Sequence, residues 1–424
     1  MEISGLENNS MKIGLIGYPL GHSWSKEIHA FLLGEDCYTL HECRPEDLQT
    51  FFRTTDLDGF NVTIPYKQAV MPLLDEIDPA AERIGAVNTV VRKDGKFIGY
   101  NTDYEGFIRM LEANGIQIKD RKAAILGSGG VSKAIRAAVG ALGGTYDIVS
   151  RNASFETITY EQMYANESDY SVVINATPVG MSPKEEESPA DLSRFSKLEA
   201  AVDVIANPLR TTFCFQAHEL GIPYCGGFEM LVRQAIAADR WFTGQPMDEA
   251  LAIPCMNHLL KQRRSIVLIG MPTSGKSTIA QQIHELTGRD LVEMDEILTE
   301  RLGMPISQCF AEKGEACFRA AESELANELT SGNAVISCGG GVVKNPDNMR
   351  HLSRNGLVFW IDRDPSLLFG SASRPLSQSK KDIQRLYEER KDLYRRYSDI
   401  RIENNGSPEE AVQKILWFTG ETES

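Results

Sequence analysis

Asn61, Thr63 and Lys67 share one face of the stretch NVTIPYK, read at the two-residue period of a strand, and Val62, Ile64 and Tyr66 share the other. An amide, a hydroxyl and an ammonium then aim the same way, beside a proline that breaks ladder pairing at position 65. Other segments offer partners for that face. GYPLGHSWSKEIH places Ser23 and Ser25 at the start of a helix, GAVNTV supplies Asn88, GYNTDYEGF supplies Asn101 and Asp103, and GGFEMLVRQA adds Gln234. Hydroxyls, amides, one lysine and one aspartate suit a small polyhydroxylated carboxylic acid and would be odd choices for an apolar ligand.

Two glycine-rich loops offer phosphate chemistry. In AAILGSGGVSKAIRAAVGALGG, Ala123–Leu126 reads as a buried strand, Gly127, Ser128, Gly129 and Gly130 as a tight turn, and Lys133–Leu142 as a helix. Such a turn lets the backbone approach a pyrophosphate at a helix N-terminus, with Ala134 taken as the third small residue that lets the helix pack close. A second strand, YDIVS, ends in Ser150, Arg151 and Asn152 where an NAD site would carry an acidic residue, so the expected cofactor is NADP(H). In SIVLIGMPTSGKSTIAQQIHELTG, the pattern G-x-x-x-x-G-K-[ST] is complete with Gly270, Gly275, Lys276 and Ser277. Its backbone N–H groups, with Thr273, Ser274 and Thr278 in the same loop, would cradle ATP phosphates. Lys276 would reach the β/γ oxygens and Ser277 would ligate Mg²⁺. The helix that follows carries Ile279, Ile283 and Leu286 on one face and stops at Gly288.

These residues need a scaffold of some size, and 424 residues predict two or three domains. Strand-like runs alternate with helical patterns, which predicts an α/β chain with largely parallel sheets. The expected division is a substrate lobe over 11–105 plus 234–260, a Rossmann-like nucleotide lobe over 106–233, a linker at 261–264 and a P-loop domain over 265–424. The apolar runs are too short to cross a bilayer, the first residues carry no secretion signal, and a strand is expected from near Met11. Eight cysteines (37, 43, 214, 225, 255, 309, 317 and 338) have no metal-like spacing, which points to a reduced, cytoplasmic protein. A formal net charge of −15 argues against nucleic acid or an anionic membrane as partner. Nothing in the sequence sets the oligomeric state.

Taken in order, HSWS, NVTIPYK, GAVNTV, NTD, GSGG, SRN, INATPVGM and GGFEMLVRQA make residues 11–260 resemble shikimate dehydrogenase. The resemblance implies a two-lobed dehydrogenase that reduces 3-dehydroshikimate to shikimate with NADPH. Ser23, Ser25, Asn61, Thr63, Asn88 and Gln234 would bind substrate, and Lys67 and Asp103 would form the catalytic pair. Gly127, Ser128, Gly129, Gly130, Val131, Ser150, Arg151, Asn152 and Gly227 would contact the dinucleotide. Hydride delivery builds negative charge on the substrate oxygen, which a positioned ammonium would stabilise and protonate.

VEMDEIL, KGEACFRAAE, SCGGGVV, SRPLSQ and EERKDLYRRYSDI, across 264–424, resemble shikimate kinase. That resemblance implies transfer of the ATP γ-phosphoryl to shikimate. Asp295, Arg319, Gly340, Gly341 and Arg390 would hold the substrate, Asp295 lying by the attacking hydroxyl. Arg374 would sit in a lid and neutralise the transferring phosphoryl. Ser277 and Glu293 would serve Mg²⁺. Both halves depart from their families. Lys26 stands where proline is usual and Ala206 where a substrate-contacting tyrosine is usual. Glu293 opens the segment that usually reads D-x-D, and the stretch from Leu367 to Arg374 is short for a lid. Two rival readings are an NAD-dependent quinate/shikimate dehydrogenase and a metabolite sensor built from decayed domains. Arg151 speaks against the first; the presence of Lys67, Asp103, Lys276 and Asp295 speaks against the second.

Overall fold

The computed structural model describes residues 11–20, 23–34, 37–261, 263–330, 332–368 and 379–421. The chain divides into two compact units, Met1–Met256 and Asn257–Ser424, the division falling inside a helix at Ala252–Leu260. Arg374, expected in a lid, and the first ten residues lie outside the described residues. Among the described residues no helix is long and apolar enough to cross a membrane.

The first unit holds two six-stranded sheets. One contains β1 (Ile13–Gly17), β2 (Tyr38–Glu42), β3 (Gly59–Val62), β4 (Glu76–Ile77), β5 (Thr89–Lys93) and β6 (Lys96–Tyr100), in the order β2-β1-β3-β5-β6-β4. It is mixed rather than largely parallel, because β5 runs antiparallel to both β3 and β6. The cause is local: Asp94 and Gly95 both take positive φ (51° and 79°), the two-residue turn that closes a hairpin. β1 starts two residues later than Met11.

The other sheet contains β7 (Lys122–Leu126), β8 (Thr145–Ser150), β9 (Thr157–Thr159), β10 (Val172–Asn175), β11 (Ala200–Asp203) and β12 (Tyr224–Cys225), ordered β12-β11-β10-β7-β8-β9. All its pairings are parallel. The strand order reverses at β7, so a crevice opens at the carboxyl ends of β7 and β10, the usual seat of a dinucleotide.

Four helices carry or border candidate residues of this unit: α1 (Ser25–Leu33), α2 (Asp103–Ala113), α3 (Gly130–Ala141) and α4 (Gly227–Thr243). The last of these spans both lobes. Its Met230 joins the core of Ile125, Ile135 and Val202, while Ala238 and Phe242 join Ile13, Leu15 and Tyr38. Residues 106 and 233, where the lobes were expected to divide, therefore sit inside continuous helices.

The second unit is one parallel sheet of β13 (Ser265–Ile269), β14 (Asp290–Glu293), β15 (Ala334–Ser337), β16 (Gly356–Asp362) and β17 (Ile400–Glu403), ordered β14-β15-β13-β16-β17. Its site is framed by α5 (Lys276–Thr287), α6 (Gly314–Glu328) and α7 (Lys380–Tyr397). Ile279 and Ile283 of α5 are buried in a core with Ile266, Phe359 and Ile415. Leu286, expected beside them, is 63% exposed. Periodicity sets the direction of a side chain, not whether a neighbour reaches the last turn of its helix.

Candidate active sites

The NVTIPYK strand ends at Val62. Thr63 N–H donates to Ile16 O (2.9 Å), and then the chain turns at Ile64 and Pro65, leaving Ile64 68% exposed. Proline has no N–H with which to continue the ladder, so the alternation read from the sequence stops there. Tyr66 is buried and its hydroxyl donates to Cys43 O at 2.5 Å, which anchors the turn just before Lys67.

Lys67 Nζ lies 2.6 Å from Asp103 Oδ2. Asp103 opens α2, where the free N–H groups of the first turn favour an anion. Asn88 Nδ2 donates to Asp103 Oδ1 (3.0 Å) and lies 3.3 Å from Gln234 Oε1, and its own carbonyl accepts from Thr102 N–H (2.7 Å). Four candidates from distant segments thus form one buried network. Asn61 is buried beside it, accepting from the Tyr38 hydroxyl (2.8 Å) and donating to Thr89 Oγ1 (3.1 Å). Ser23 Oγ accepts from Ser25 N–H (3.2 Å) just ahead of α1. Asn101 does something else: it donates to Ala86 O and accepts from Tyr104 N–H, shaping the turn into α2. Tyr38, Thr89 and Thr102 were missed. The two threonines sit directly beside Asn88 and Asp103, but a buried hydroxyl in a strand or turn has no sequence signature.

The cofactor turn abuts this network. A Cβ on Gly130 would stand 3.5 Å from Lys67 Cβ and 3.7 Å from its Cδ. Lys133 on α3 reaches back to Gln68 Oε1 (2.9 Å) and Gly85 O (3.2 Å). Gly127 has φ +101° and a Cβ there would meet Ala176 O at 3.0 Å, so glycine is required. Helix α3 begins at Gly130, earlier than Lys133, placing the N–H groups of Gly130 and Val131 in its first turn. Ser132, not Ala134, occupies the third position of the fingerprint, and both are buried. Ala134 packs on Ile84 and Ala86 of the substrate lobe. Ser128 and Gly129 are exposed at the turn, and Ser150, Arg151 and Asn152 follow at the end of β8. Gly227 meets no other requirement than closeness: its N–H donates to Ile205 O (3.0 Å), and a Cβ would overlap the Val204 carbonyl.

In the second unit, Gly270 (φ +146°), Thr273 (φ +64°) and Gly275 (φ +100°) shape the loop between β13 and α5. Lys276 Nζ folds back on Gly270 O (3.0 Å) and Met271 O (2.8 Å). Ser274 is buried, its carbonyl accepting from Asn404 Nδ2 (2.7 Å), while Ser277 and Thr278 are exposed. Ser277 Oγ donates to Glu293 Oε2 (3.1 Å) and lies 3.4 Å from Ser337 Oγ. Burial pushes the Glu293 carboxyl upward, which the two serine hydroxyls partly offset.

A cavity of about 940 Å³ joins these groups to Asp295, Arg319, Gly340, Gly341 and Arg390. Arg319 is held by Glu322 (2.7 Å) and Glu315 (3.1 Å). Arg390 donates to Gly340 O (2.9 Å), a carbonyl that also accepts from the buried Tyr394 hydroxyl (2.5 Å). Glycines are needed here for space, since a Cβ on Gly339 would come 2.8 Å from Asp295 Oδ1 and one on Gly341 2.7 Å from Arg319 Nη1. Tyr394 and Asn404 were missed because each acts from one element on the backbone of another; Glu322, three residues after Arg319 on the same helix, was missed although that spacing is a sequence signal. The hydroxyl of Ser277 and the carboxylate of Glu293 are hard oxygen donors opening on the same cavity as Lys276. They fit Mg²⁺, which takes few protein ligands and keeps water and phosphate. Among the described residues no cluster of three His, Cys, Asp or Glu offers a fuller cage.

Comparison with known proteins decides the family of the first unit. Residues 15–90 match the family model of the shikimate dehydrogenase substrate binding domain. Shikimate dehydrogenase (NADP(+)) of Shouchella clausii is 35% identical over 271 residues, covering 58% of this chain and 98% of that protein. The chain belongs to the shikimate dehydrogenase family. Among solved structures, a chorismate mutase/shikimate 5-dehydrogenase fusion protein from Clostridium acetobutylicum is 38% identical with a TM-score of 0.55, covering 59% of this chain and 97% of that one. Shikimate 5-dehydrogenase from Thermus thermophilus, solved in complex with NADP(H) and shikimate, is 30% identical with a TM-score of 0.54, covering 58% and 99%. Residues 272–419 match the shikimate kinase family model. The shikimate dehydrogenase part is therefore followed by a shikimate kinase domain.

Proposed function

We propose that the chain catalyses two consecutive steps, reduction of 3-dehydroshikimate to shikimate with NADPH and phosphorylation of shikimate with ATP. The observation that carries the first step is how near the glycine-rich turn comes to the Lys67 stem, where a Cβ on Gly130 would stand 3.5 Å from Lys67 Cβ, together with the 2.6 Å Lys67–Asp103 pair. NADPH supplies the hydride. Lys67 Nζ stabilises the charge that builds on the substrate oxygen and delivers a proton to it, and Asp103 orients the ammonium. Asn61, Thr63, Asn88, Gln234, Ser23 and Ser25 hold the hydroxyls and carboxylate of the substrate. Arg151 takes the 2′-phosphate. In the second unit ATP supplies the phosphoryl group. Arg319 and Arg390 hold the shikimate carboxylate, Asp295 orients the attacking hydroxyl, Lys276 holds the phosphates, and Ser277 and Glu293 hold Mg²⁺. Eight cysteines, none in a disulfide among the described residues, favour a reducing compartment, which we take to be the cytoplasm.

The test is a coupled assay with 3-dehydroshikimate, NADPH and Mg-ATP, following NADPH loss and ADP release separately. Lys67→Ala should cut the first step by roughly 10²–10⁴-fold and leave phosphorylation of added shikimate intact. Lys276→Ala should do the reverse. A wild-type chain that consumes NADPH but releases no ADP with shikimate would remove the kinase half of the proposal.

A further inference from the structure

The substrate lobe contains a buried histidine–carboxylate pair that the proposed chemistry does not use. His29 Nδ1 lies 2.6 Å from Asp239 Oδ1, and both side chains are 0% exposed. His29 Nε2 and Asp239 Oδ2 have no hydrogen-bond partner among the described residues. Apolar side chains of similar volume would commonly serve a core as well or better, so the pair calls for a reason beyond packing.

Its position supplies one. His29 stands one turn after Ser25 on α1, and Asp239 stands five residues after Gln234 on α4. The same helix–helix contact includes Trp24 edge-on to Phe228, with ring centroids 4.9 Å apart. The His29 ring stacks on Tyr38 at 4.2 Å and 12°. Tyr38 donates to Asn61 Oδ1 (2.8 Å). A ring whose Nδ1 is tied to a carboxylate has a set orientation, and a tyrosine stacked on it can place its hydroxyl in few ways.

We propose that His29 and Asp239 are positioning residues for the substrate site, joining the helices of Ser25 and Gln234 and seating Tyr38 so that its hydroxyl orients Asn61. The inference rests on the dehydrogenase reading of the first unit. Steady-state kinetics with shikimate and NADP⁺ test it. Asp239→Ala should raise KM for shikimate about tenfold, with kcat and KM for NADP⁺ changed less than about threefold. Asp239→Asn, which can still hydrogen-bond the ring, should restore most of the loss. Tyr38→Phe cuts only the last link and should show the same KM effect, which keeps the test decisive if Asp239→Ala does not fold. Kinase activity of each variant reports on the rest of the chain. A shikimate KM unchanged in Tyr38→Phe, or a fall in kcat and stability without a KM effect in Asp239→Ala, overturns the inference alone. A wild-type chain inactive toward shikimate overturns the dehydrogenase reading and this inference with it.

Discussion

Ala206 follows Ile205, whose carbonyl accepts from Gly227 N–H, so it stands at the carboxyl end of β11 beside the start of α4. Restoring a phenol there, Ala206→Tyr, should lower KM for shikimate two- to tenfold through one added hydrogen bond, roughly 0.5–1.5 kcal/mol. Steady-state kinetics check it, and an unchanged KM would show that this position does not face substrate. Nearby, Asp203 is fully buried and accepts from Thr211 Oγ1 (2.6 Å), Ile205 N–H (3.0 Å) and Asn175 Nδ2 (3.1 Å). Burial pushes its carboxyl from 3.8 up to about 6, although the donors pull it down. The folded chain then holds this proton more tightly than the unfolded one. The stabilisation is full below about pH 4 and is lost as pH rises through about 6. Asp203→Asn should remove that slope, so urea midpoints of wild type and variant should diverge by different amounts at pH 4 and pH 7. Parallel shifts at both would count against the assignment.

At the scale of elements, the kinase site depends on a helix gripping a loop. Arg390 and Tyr394, one turn apart on α7, both hold the Gly340 carbonyl, and α6 presents Arg319 to the neighbouring Gly341. Gly341 has φ −108°, which any residue adopts, so its requirement is space and not backbone freedom. Gly341→Ala would press a methyl on a guanidinium already fixed by Glu315 and Glu322. KM for shikimate in the kinase reaction should rise about tenfold or more while KM for ATP holds, and equal changes in both would point to a general disturbance of the loop. In the dehydrogenase the comparable element is the Asp94-Gly95 hairpin. It brings β6, and hence Asn101, Thr102 and Asp103, back beside Asn88 just ahead of β5, across the Thr89–Tyr100 pair.

For the whole molecule, each proposed site draws its residues from one unit, and each unit has its own cores. The second unit is closed by Arg289, which is 4% exposed and donates to Glu421 (2.6 Å), to Arg264 O (2.7 Å) and to Lys261 O. It ties the start of that unit to residue 421. Glu421→Ala leaves the guanidinium buried without its carboxylate, a loss of roughly 3–5 kcal/mol. Kinase activity should then be lost at a markedly lower temperature while dehydrogenase activity is lost where it was. Simultaneous loss of both would show that the two units unfold together.

Candidate residues that lie in a contiguous motif were legible in the sequence alone. GXXXXGKS, GSGG and NVTIPYK carry their backbone demands locally, in glycines with positive φ and a proline that stops a strand, and so Lys276, Gly127 and Lys67 were legible as candidates. The α/β class and the parallel pairing of two of the three sheets followed from alternation along the chain, whereas the antiparallel β5 of the first sheet did not. Tertiary structure decided what local signals do not encode. It set Lys67 against Gly130 across the two lobes, ended the NVTIPYK strand at Val62, left Leu286 in water, and gave Asn101 to the backbone of a turn. Tyr38 and Tyr394 matter only through partners 23 and 54 positions away. A hydrogen bond between elements depends on where folding brings both ends, and burial, which moves the Asp203 carboxyl and pairs His29 with Asp239, is a property of the packed chain.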